Sequence, residues 1–313
     1  MIPVAVPSTV TQHNLEAFAS VIVPTRNRAA LLDRLLRSME GLSSGEWEVI
    51  VVDDGSIDGT AGVAKRARER GLPLQYLYQP WGKMGAARNL GLRHARGEIV
   101  AFTDDDCVVD RDWLHAIVAE FARHPDALGV QGKTLTDHAA MTPFTRQVEQ
   151  LVGGQPYRTC NIAYRASVLR ELGGFDERLI RGEDVVMGMR VLERGSIEFA
   201  PDAIVVHPPR PKEWADRRAW RVLLESELHF RRTYRDYASQ RSQTLSLQRA
   251  DHVFSRWILL PIRRYWRWHF AYFRRNPRAY LRHVPLIVRE KAALACLLPF
   301  FLRQWRDASR RTR

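Results

Sequence analysis

Short apolar runs alternate with amphipathic stretches over the first part of the chain. Runs rich in β-branched residues at 19–23, 48–52, 74–77 and 99–102 predict buried strands. Between them, leucine and alanine recur at helical spacing, which predicts helices over residues 29–39, 59–70, 85–94 and 113–123. Strands that alternate with helices of this length predict an α/β fold with a mostly parallel sheet flanked by helices, over about residues 18–125.

The alternation loosens after residue 125. Residues 128–132 and 197–206 predict two further strands, and residues 166–172 and 184–193 predict two helices. A proline cluster at residues 208–211 would end any regular element, so we expect one domain to span residues 1–210. We expect the remaining residues, 211–313, to form a helical appendage in which arginine and aromatic residues interleave.

The excess of positive over negative charge is confined to this appendage. The 313 residues carry a formal net charge of +13. Residues 1–210 contain 24 Lys and Arg against 27 Asp and Glu, whereas residues 211–313 contain 24 against 8. The chain is therefore not basic throughout, as many nucleic-acid-binding proteins are. We predict no nucleic-acid partner.

The composition of the appendage is typical of helices that lie at a membrane surface. Arginine heads on aromatic and aliphatic bodies suit the interface, and an anionic leaflet contributes about 1 kcal/mol per nearby Lys or Arg. A soluble helical subdomain with solvated arginines is one alternative, and a nucleic-acid-binding segment is another. We therefore expect an anionic membrane surface as a partner.

Other sequence features favour a cytoplasmic protein peripheral to the inner face of the membrane. The longest apolar run, residues 292–302, is well short of the roughly 20 residues that span a bilayer. Residues 1–19 lack the basic start and the apolar run of a signal peptide. The three cysteines, Cys107, Cys160 and Cys296, show neither disulfide nor zinc-cluster spacing, which fits a reducing compartment.

Polar residues follow three of the predicted strands directly. They are residues 24–28 (PTRNR), 53–56 (DDGS) and 103–106 (TDDD). The carboxyl ends of parallel strands form the edge at which open α/β sheets bind ligands. Carboxylates gathered there repel one another unless a cation compensates, so we expect Mg²⁺ or Mn²⁺ and, with it, a phosphate ligand. Each segment also has a purely structural alternative: residues 53–56 could be a turn, and residues 104–106 could be the N-terminus of a helix.

Seven motifs in a fixed order resemble those of family 2 glycosyltransferases, which have the GT-A fold. They are residues 21–28 (VIVPTRNR), 51–60 (VVDDGSIDGT), 85–89 (GAARN), 102–106 (FTDDD), 161–165 (NIAYR), 173–177 (GGFDE) and 182–184 (GED). The resemblance extends over residues 20–210. It implies an inverting transferase that uses a nucleotide-diphosphate sugar of the UDP or GDP type.

The resemblance also implies roles for residues that contact the nucleotide. Pro24, Thr25 and Arg26 would line the base pocket, and Asp54 would read the nucleobase. Arg88 would lie near the nucleotide, although residues 83–91 could equally form a plain amphipathic helix.

Further roles concern the metal and the chemistry. Asp104 would lie on the ribose side and Asp106 would bind the metal, while Asp105 could replace either. Asp184 would be the catalytic base, because an acceptor hydroxyl is a poor nucleophile until a carboxylate takes its proton; a simple helix cap is the alternative. His207, which follows a predicted strand, is either a metal ligand or a surface residue.

Two departures from the family pattern narrow the prediction. Val186 replaces an aspartate that the family often carries after its Glu-Asp pair, and residues 216–220 (DRRAW) do not match the Gln-x-x-Arg-Trp of processive synthases. The second departure, with the lack of an apolar run long enough to span a bilayer, favours transfer of one or a few sugars. We expect the acceptor to be a hydroxyl of a lipid-linked or cell-envelope glycan. The alternative is a non-catalytic nucleotide-sugar-binding scaffold at the membrane surface.

Overall fold

The computed structural model describes residues 18–43, 45–142, 145–146, 148–180 and 182–211, and farther along the chain residues 229, 233–234, 270, 272–278 and 280–281. Two compact units can be distinguished among these residues. The first lies within Met1–Asp137 and Val148–Pro208, and the second lies within His138–Gln147 and Pro209–Arg313. The predicted site residues are all in the first unit.

Helices and strands alternate along the first 125 residues, as predicted. The strands are β1 (Ala19–Thr25), β2 (Trp47–Asp54), β3 (Leu74–Gln79), β4 (Ile99–Phe102), β5 (Val108–Val109), β6 (Gly129–Leu135), β7 (Thr145–Arg146), β8 (Ile162–Arg165), β9 (Ile197–Val206) and β10 (Arg210–Pro211). The helices are α1 (Ala29–Met39), α2 (Thr60–Glu69), α3 (Lys83–His94), α4 (Trp113–Arg123), α5 (Ala166–Glu171) and α6 (Glu183–Leu192), with a 3₁₀ turn at His138–Ala140.

The first unit is built on one sheet with the strand order β3-β2-β1-β4-β8-β6-β9-β5. Strands β1 to β4 are parallel to one another, which confirms the predicted parallel sheet in this half. Strand β8 is antiparallel to both of its neighbours, β4 and β6, while β6 and β9 are again parallel. The α/β class is thus confirmed, and the sheet as a whole is mixed.

The sequence pattern missed strand β8. Its four residues are followed without a break by helix α5, so the apolar run there is too short to distinguish a strand from the start of a helix. The strand lies between β4 and β6, where Ala101 pairs with Ala163 and Val130 with the same residue on the other side. It therefore joins the parallel strands β1 to β4 to the parallel pair β6 and β9.

Strand β1 continues through Pro24, where the sequence predicted that it would stop. The carbonyl of Ile22 accepts a hydrogen bond from Thr103 at 3.4 Å, just beyond the end of β4 at Phe102. The backbone nitrogen of Pro24, two residues later, points to the same side of β1 as the Ile22 carbonyl, and β4 has already ended there. The missing N–H of the proline therefore costs no ladder bond, and β1 pairs with β2 as far as Thr25.

Helices cover both faces of the sheet and bury a separate apolar core on each. On one face, Leu32 and Leu36 of α1 and Trp113 of α4 are packed with Val21 of β1. On the other face, the neighbouring residue Ile22 packs with α3, α5 and α6. This alternation along β1 is the period-2 pattern of a strand that is buried on both sides.

Asn161 ties three elements of the first unit together from a fully buried position. Its amide nitrogen donates to the carbonyls of Lys133 on β6 (3.0 Å) and Ala203 on β9 (2.9 Å). Its side-chain oxygen accepts a hydrogen bond from the indole nitrogen of Trp113 on α4 at 2.8 Å. Without the amide, the buried indole N–H of Trp113 and the two carbonyls would lose these hydrogen bonds.

Asn161→Ala is therefore expected to lower the free energy of unfolding by about 2 to 4 kcal/mol, because a buried polar group that loses its partner costs about 1 to 3 kcal/mol. Chemical denaturation followed by circular dichroism measures the change. Lys65→Ala, at an exposed position of α2, is the control and should change stability by less than about 0.5 kcal/mol. A loss as small as that of the control would contradict the role given to Asn161.

The described part of the second unit contains a two-stranded antiparallel pair, β7 with β10. Most of the predicted appendage lies outside the described residues, so the division at residue 210 and the helical character of residues 211–313 stay predictions. No helix within the described ranges combines the length and the apolar character that crossing a bilayer requires.

Candidate active site

The ends of β1 and β4 are joined by buried polar contacts. Thr25 Oγ1 donates to Asp105 Oδ2 at 2.8 Å, and the guanidinium of Arg28 lies 3.0 Å from Asp105 Oδ1 and 3.5 Å from Asp106 Oδ2. Asp105 and Asp106 are both buried. Arg34 of α1 fixes the backbone of the same loop by donating to the carbonyl of Asp106 at 2.9 Å. The structure thus brings together the polar segments that follow these two strands.

Asp105 is buried, and its carboxylate is held by residues at and after the end of β1. Burial, with a smaller contribution from the charge of Asp106, raises the pKa of Asp105 to about 6, against the opposing effects of Arg28 and the hydroxyl of Thr25. Both of its oxygens are engaged by residues of β1 and the loop that follows it. Asp105 therefore serves to hold the loop, and Asp104 and Asp106 are the better candidates for ligand contacts.

His207 lies beside these carboxylates, immediately after β9. Its Nε2 is 3.6 Å from Asp106 Oδ1 and 3.9 Å from Asp104 Oδ2, and the residue is completely buried. Its backbone N–H donates to Leu135 at 2.8 Å. Burial contradicts the alternative that His207 is a surface residue.

The donor atoms at this point fit a divalent cation. Nδ1 of His207 is 2.8 Å from the carbonyl oxygen of Pro208, and since a carbonyl only accepts, Nδ1 carries the proton. The other ring nitrogen, Nε2, is the atom that lies close to the carboxylates of Asp106 and Asp104. One imidazole nitrogen and carboxylate oxygens are ligands that Mn²⁺ accepts readily, whereas Mg²⁺ favours oxygen alone.

A second acidic group lies at the N-terminus of α6. Gly182 has a φ of 86°, a left-handed conformation that glycine adopts freely, and it places Glu183 and Asp184 in the first turn of the helix. The helix dipole favours negative charge there. Glu183 is buried, whereas Asp184 is partly exposed and accepts a hydrogen bond through Oδ1 from the N–H of Val185 at 2.8 Å.

Arg88 of α3 connects the two acidic groups. Its buried guanidinium lies 2.6 Å from Glu183 Oε1 and 3.5 Å from Asp104 Oδ1. Burial and the charge of Asp184 raise the pKa of Glu183 to about 7, with Arg88 opposing the shift. Burial likewise raises the pKa of Asp184. Arg88 therefore holds the N-terminus of α6 close to the β4 carboxylates.

The loop before α6 is fastened to α3 by an adjacent residue. Asn89 donates to the carbonyl of Phe175 at 2.9 Å and to Glu177 Oε1 at 2.8 Å, and it accepts from the N–H of Phe175 at 2.8 Å. Gly174 has a φ of 76°, and a β-carbon there would approach Asn89 Oδ1 to 2.4 Å. The sequence motifs at residues 85–89 and 173–177 are thus two sides of one contact.

Asp54 is buried at the end of β2 and binds the segment that leads into α3. Oδ1 accepts hydrogen bonds from Gln79 Nε2 and from the N–H of Gly82, both at 2.7 Å. Oδ2 accepts from the N–H of Lys83 at 3.1 Å. The preceding Asp53 accepts from the N–H of Ser56 at 2.7 Å, in the predicted turn. Nucleobase recognition by Asp54 stays a prediction.

The residues predicted to line the base pocket have different environments. Pro24 and Thr25 are buried in β1, whereas Arg26 is exposed. The guanidinium of Arg26 stacks on the exposed ring of Trp81, 4.9 Å from its centroid. An exposed cation and indole at the sheet edge form a surface on which a planar ring could stack.

The comparisons with known proteins decide the family. The model of glycosyl transferase family 2 matches residues 20–172. Glycosyltransferase AglE of Haloferax volcanii is 31% identical over 206 residues, which cover 62% of this chain and 68% of the relative. This chain belongs to glycosyl transferase family 2. The predicted family and enzyme class are confirmed.

Other relatives support the fold of this glycosyltransferase. The pre-mycofactocin glycosyltransferase of Mycobacterium tuberculosis is 31% identical over 226 residues, but the chain spans only 45% of its length. The structure of Staphylococcus aureus TarS 1–349 with UDP-GlcNAc aligns with a TM-score of 0.55 and 26% identity, covering 62% of this chain and 59% of TarS. The mannosyltransferase PcManGT of Pyrobaculum calidifontis, with GDP-Man and Mn²⁺, aligns at 0.54 and 25%, covering 70% and 65%. The predicted GT-A fold is confirmed.

Sequence reasoning missed two contributors to the site of the glycosyltransferase. Arg28 lies in a matched motif, but nothing in the sequence indicates that its guanidinium reaches Asp105, 77 positions later. The sequence shows Glu183 only as the neighbour of Asp184, and nothing in its spacing indicates an ion pair with Arg88, 95 positions earlier.

The raised pKa of Glu183 makes stability depend on pH. A carboxyl group with a pKa of about 7 when folded and 4.5 when unfolded binds its proton more tightly in the folded state. The free energy of unfolding should therefore fall between about pH 4.5 and 7, by on the order of 1 to 3 kcal/mol from this group. The free energy of unfolding, measured by chemical denaturation at several pH values in this interval, should depend less on pH in Glu183→Gln than in the unchanged protein. Glu69→Gln, at an exposed position, is the control, and equal slopes in all three proteins would contradict the assignment.

Proposed function

We propose that this glycosyltransferase moves a sugar from a nucleotide-diphosphate donor of the UDP or GDP type to a hydroxyl group, with inversion at the anomeric carbon. The acceptor class that we propose is a lipid-linked or cell-envelope glycan. One observation carries the proposal: Arg88 holds two acidic groups together at one edge of the sheet. The first group is Asp104 and Asp106, with His207 beside them, and the second is Glu183 and Asp184.

The complexes of the neighbours support the choice of donor. TarS was determined with UDP-GlcNAc, and PcManGT with GDP-Man and Mn²⁺. Both carry the same fold at 25% identity or more, so a nucleotide-diphosphate sugar is the donor class that we infer for this chain. A UDP or a GDP donor is compatible with the described residues, because the exposed pair Arg26 and Trp81 offers stacking to any planar base.

Asp184 is the residue that we assign as the base. It is more exposed than Glu183, whose carboxylate is engaged by Arg88. Its raised pKa brings its basicity closer to that of a working general base at neutral pH. Asp184 would take the proton of the acceptor hydroxyl while the oxygen attacks the anomeric carbon from the face opposite the diphosphate. The bond from this carbon to the phosphate oxygen then breaks, which inverts the configuration.

Asp106 and His207 would hold the divalent cation, with Asp104 beside them. When bound, Mg²⁺ or Mn²⁺ supplies positive charge that stabilises the leaving diphosphate. The imidazole nitrogen favours Mn²⁺ of the two. Arg88 and Arg28 keep the surrounding carboxylates in place.

Asp184→Asn is expected to lower turnover by about 10²- to 10⁴-fold, the usual contribution of a general base. Release of nucleotide diphosphate from a panel of UDP- and GDP-sugars, with Mn²⁺ or Mg²⁺, measures turnover, and calorimetry measures donor binding. Donor affinity should stay unchanged, because Asp184 acts on the acceptor. Asp202→Asn, at an exposed position of β9, should keep full activity.

Two results would count against this proposal in different ways. Full turnover in Asp184→Asn would remove Asp184 as the base. Tight donor binding with no turnover in the unchanged protein, over the whole donor and acceptor panel, would favour the non-catalytic scaffold.

We further propose that the enzyme is cytoplasmic and binds the inner face of the membrane through its basic appendage. Among the described residues of that segment, Phe270, Phe273 and Leu281 are exposed. Arg274, Arg275 and Arg278 are exposed beside them. Apolar side chains interleaved with arginines are the composition of an interfacial segment.

Reversal of three charges, Arg274→Glu, Arg275→Glu and Arg278→Glu, is expected to weaken binding to anionic vesicles by about 100-fold or more, at about 1 kcal/mol per basic residue. Vesicle flotation measures the bound fraction. The same change of charge on helix α2, by Lys65→Glu, Arg66→Glu and Arg68→Glu, is the control. An equal loss in both variants would assign the effect to net charge rather than to the appendage.

A further inference from the structure

Cys107 lies directly after the aspartate triplet, and none of the roles above uses it. Its side chain is completely buried. The Sγ atom, a carboxylate oxygen of Asp106 and a ring nitrogen of His207 all lie within 4.8 Å of one another. Three different donor atoms, sulfur, oxygen and nitrogen, thus surround one point at the sheet edge.

The backbone around these residues fixes their relative positions. The N–H of Cys107 donates to the carbonyl of Asp104 at 3.1 Å, which closes the turn that carries Asp106 and Cys107. Thr136 Oγ1 donates to the carbonyl of His207 at 3.1 Å, and Nδ1 of the imidazole is held at the carbonyl of Pro208. A second hydrogen bond of this kind orients a metal-binding histidine and sets its tautomer.

The distances match a small tetrahedral or trigonal site after a modest contraction. Ligand atoms about 2.0 to 2.3 Å from a Zn²⁺ ion lie about 3.5 Å from one another. Asp106 Oδ1 and His207 Nε2 are already 3.6 Å apart. The sulfur lies within 4.8 Å of a carboxylate oxygen of Asp106 and of a ring nitrogen of His207, so it has to move closer to them when a metal binds.

We propose that Cys107 is a third protein ligand at the candidate metal site and that the site binds thiophilic divalent cations, Zn²⁺ and Co²⁺, more tightly than Mn²⁺ or Mg²⁺. Thiolate and imidazole ligands select such ions, and Mn²⁺ stands at the weak end of the transition-metal order. On binding, the S–H bond breaks, a sulfur–metal bond forms and the proton leaves to solvent, with no change of oxidation state. The inference rests on the proposed function only in sharing its metal site.

Burial raises the pKa of the Cys107 thiol well above its ordinary value, as expected for a cysteine that only packs in the core. A metal ion reverses this preference, because a coordinated thiol is deprotonated outright. Cys160 provides the matched comparison within the chain. It is also buried, and burial raises the pKa of its thiol to about 12, but it is not part of the group formed by Asp106, Cys107 and His207.

Titration of the metal-free full-length protein with Co²⁺ tests the assignment without any substrate. Coordination by a thiolate produces sulfur-to-cobalt charge-transfer absorption in the near ultraviolet, which oxygen and nitrogen ligands do not give. We expect this band in the unchanged protein, in Cys160→Ser and in Cys296→Ser, and its loss in Cys107→Ser and Cys107→Ala. Co²⁺ affinity should fall by about tenfold or more in the two Cys107 variants, at least the effect of disturbing an outer-shell partner.

X-ray absorption of the Zn²⁺-loaded unchanged protein keeps the inference testable if the Cys107 variants do not fold. A sulfur neighbour at about 2.3 Å is expected. Cobalt binding without the charge-transfer band, a band that persists in Cys107→Ser, or a zinc shell without sulfur would each overturn the proposal. Mn²⁺-supported sugar transfer alongside any of these results would leave the proposed function standing. A sulfur-ligated metal in a protein that turns over no donor would support the inference about Cys107 and contradict the proposed function.

Discussion

The burial of several carboxylates at one edge of the sheet is the constraint on which the first unit depends. A buried carboxylate is strongly unfavourable unless hydrogen bonds and opposite charges compensate it. Thr25 and Arg28 provide this for Asp105, and Arg88 provides it for Glu183. These partners come from β1, the loop after it and α3. The packing of these elements therefore also sets the charge balance of the site.

The parallel half of the sheet could be read from the sequence because its strands are buried on both faces. Such strands appear as continuous β-branched runs, and those of β1, β2 and β4 are bounded by polar turns. Strands β5 and β8 could not be read in this way. They are only two and four residues long, and their existence depends on tertiary pairing with β9 and with β4 and β6.

Recognition of the site from sequence had a similar limit. The aspartate triplet, Asp184 and His207 follow predicted strands or open a predicted helix, so their positions in the sheet indicated chemistry. Their partners carry no such signal. The pairing of Arg88 with Glu183 spans 95 residues and depends on how α3 and α6 pack on the same face. The role of Asn89 is visible only once Gly174 is seen to leave room for its amide.

The site combines residues that lie far apart along the chain and are made at different times. Strands β1 to β4 form a sheet from consecutive parts of the chain, whereas β6 and β9 attach to it only through β8. Glu183 and His207 are therefore made about 80 to 100 residues after the aspartates that they face. During synthesis the whole aspartate cluster is therefore made before the histidine that lies beside it in the folded protein. A nascent chain that stops short of residue 207 would present the acidic cluster without that imidazole.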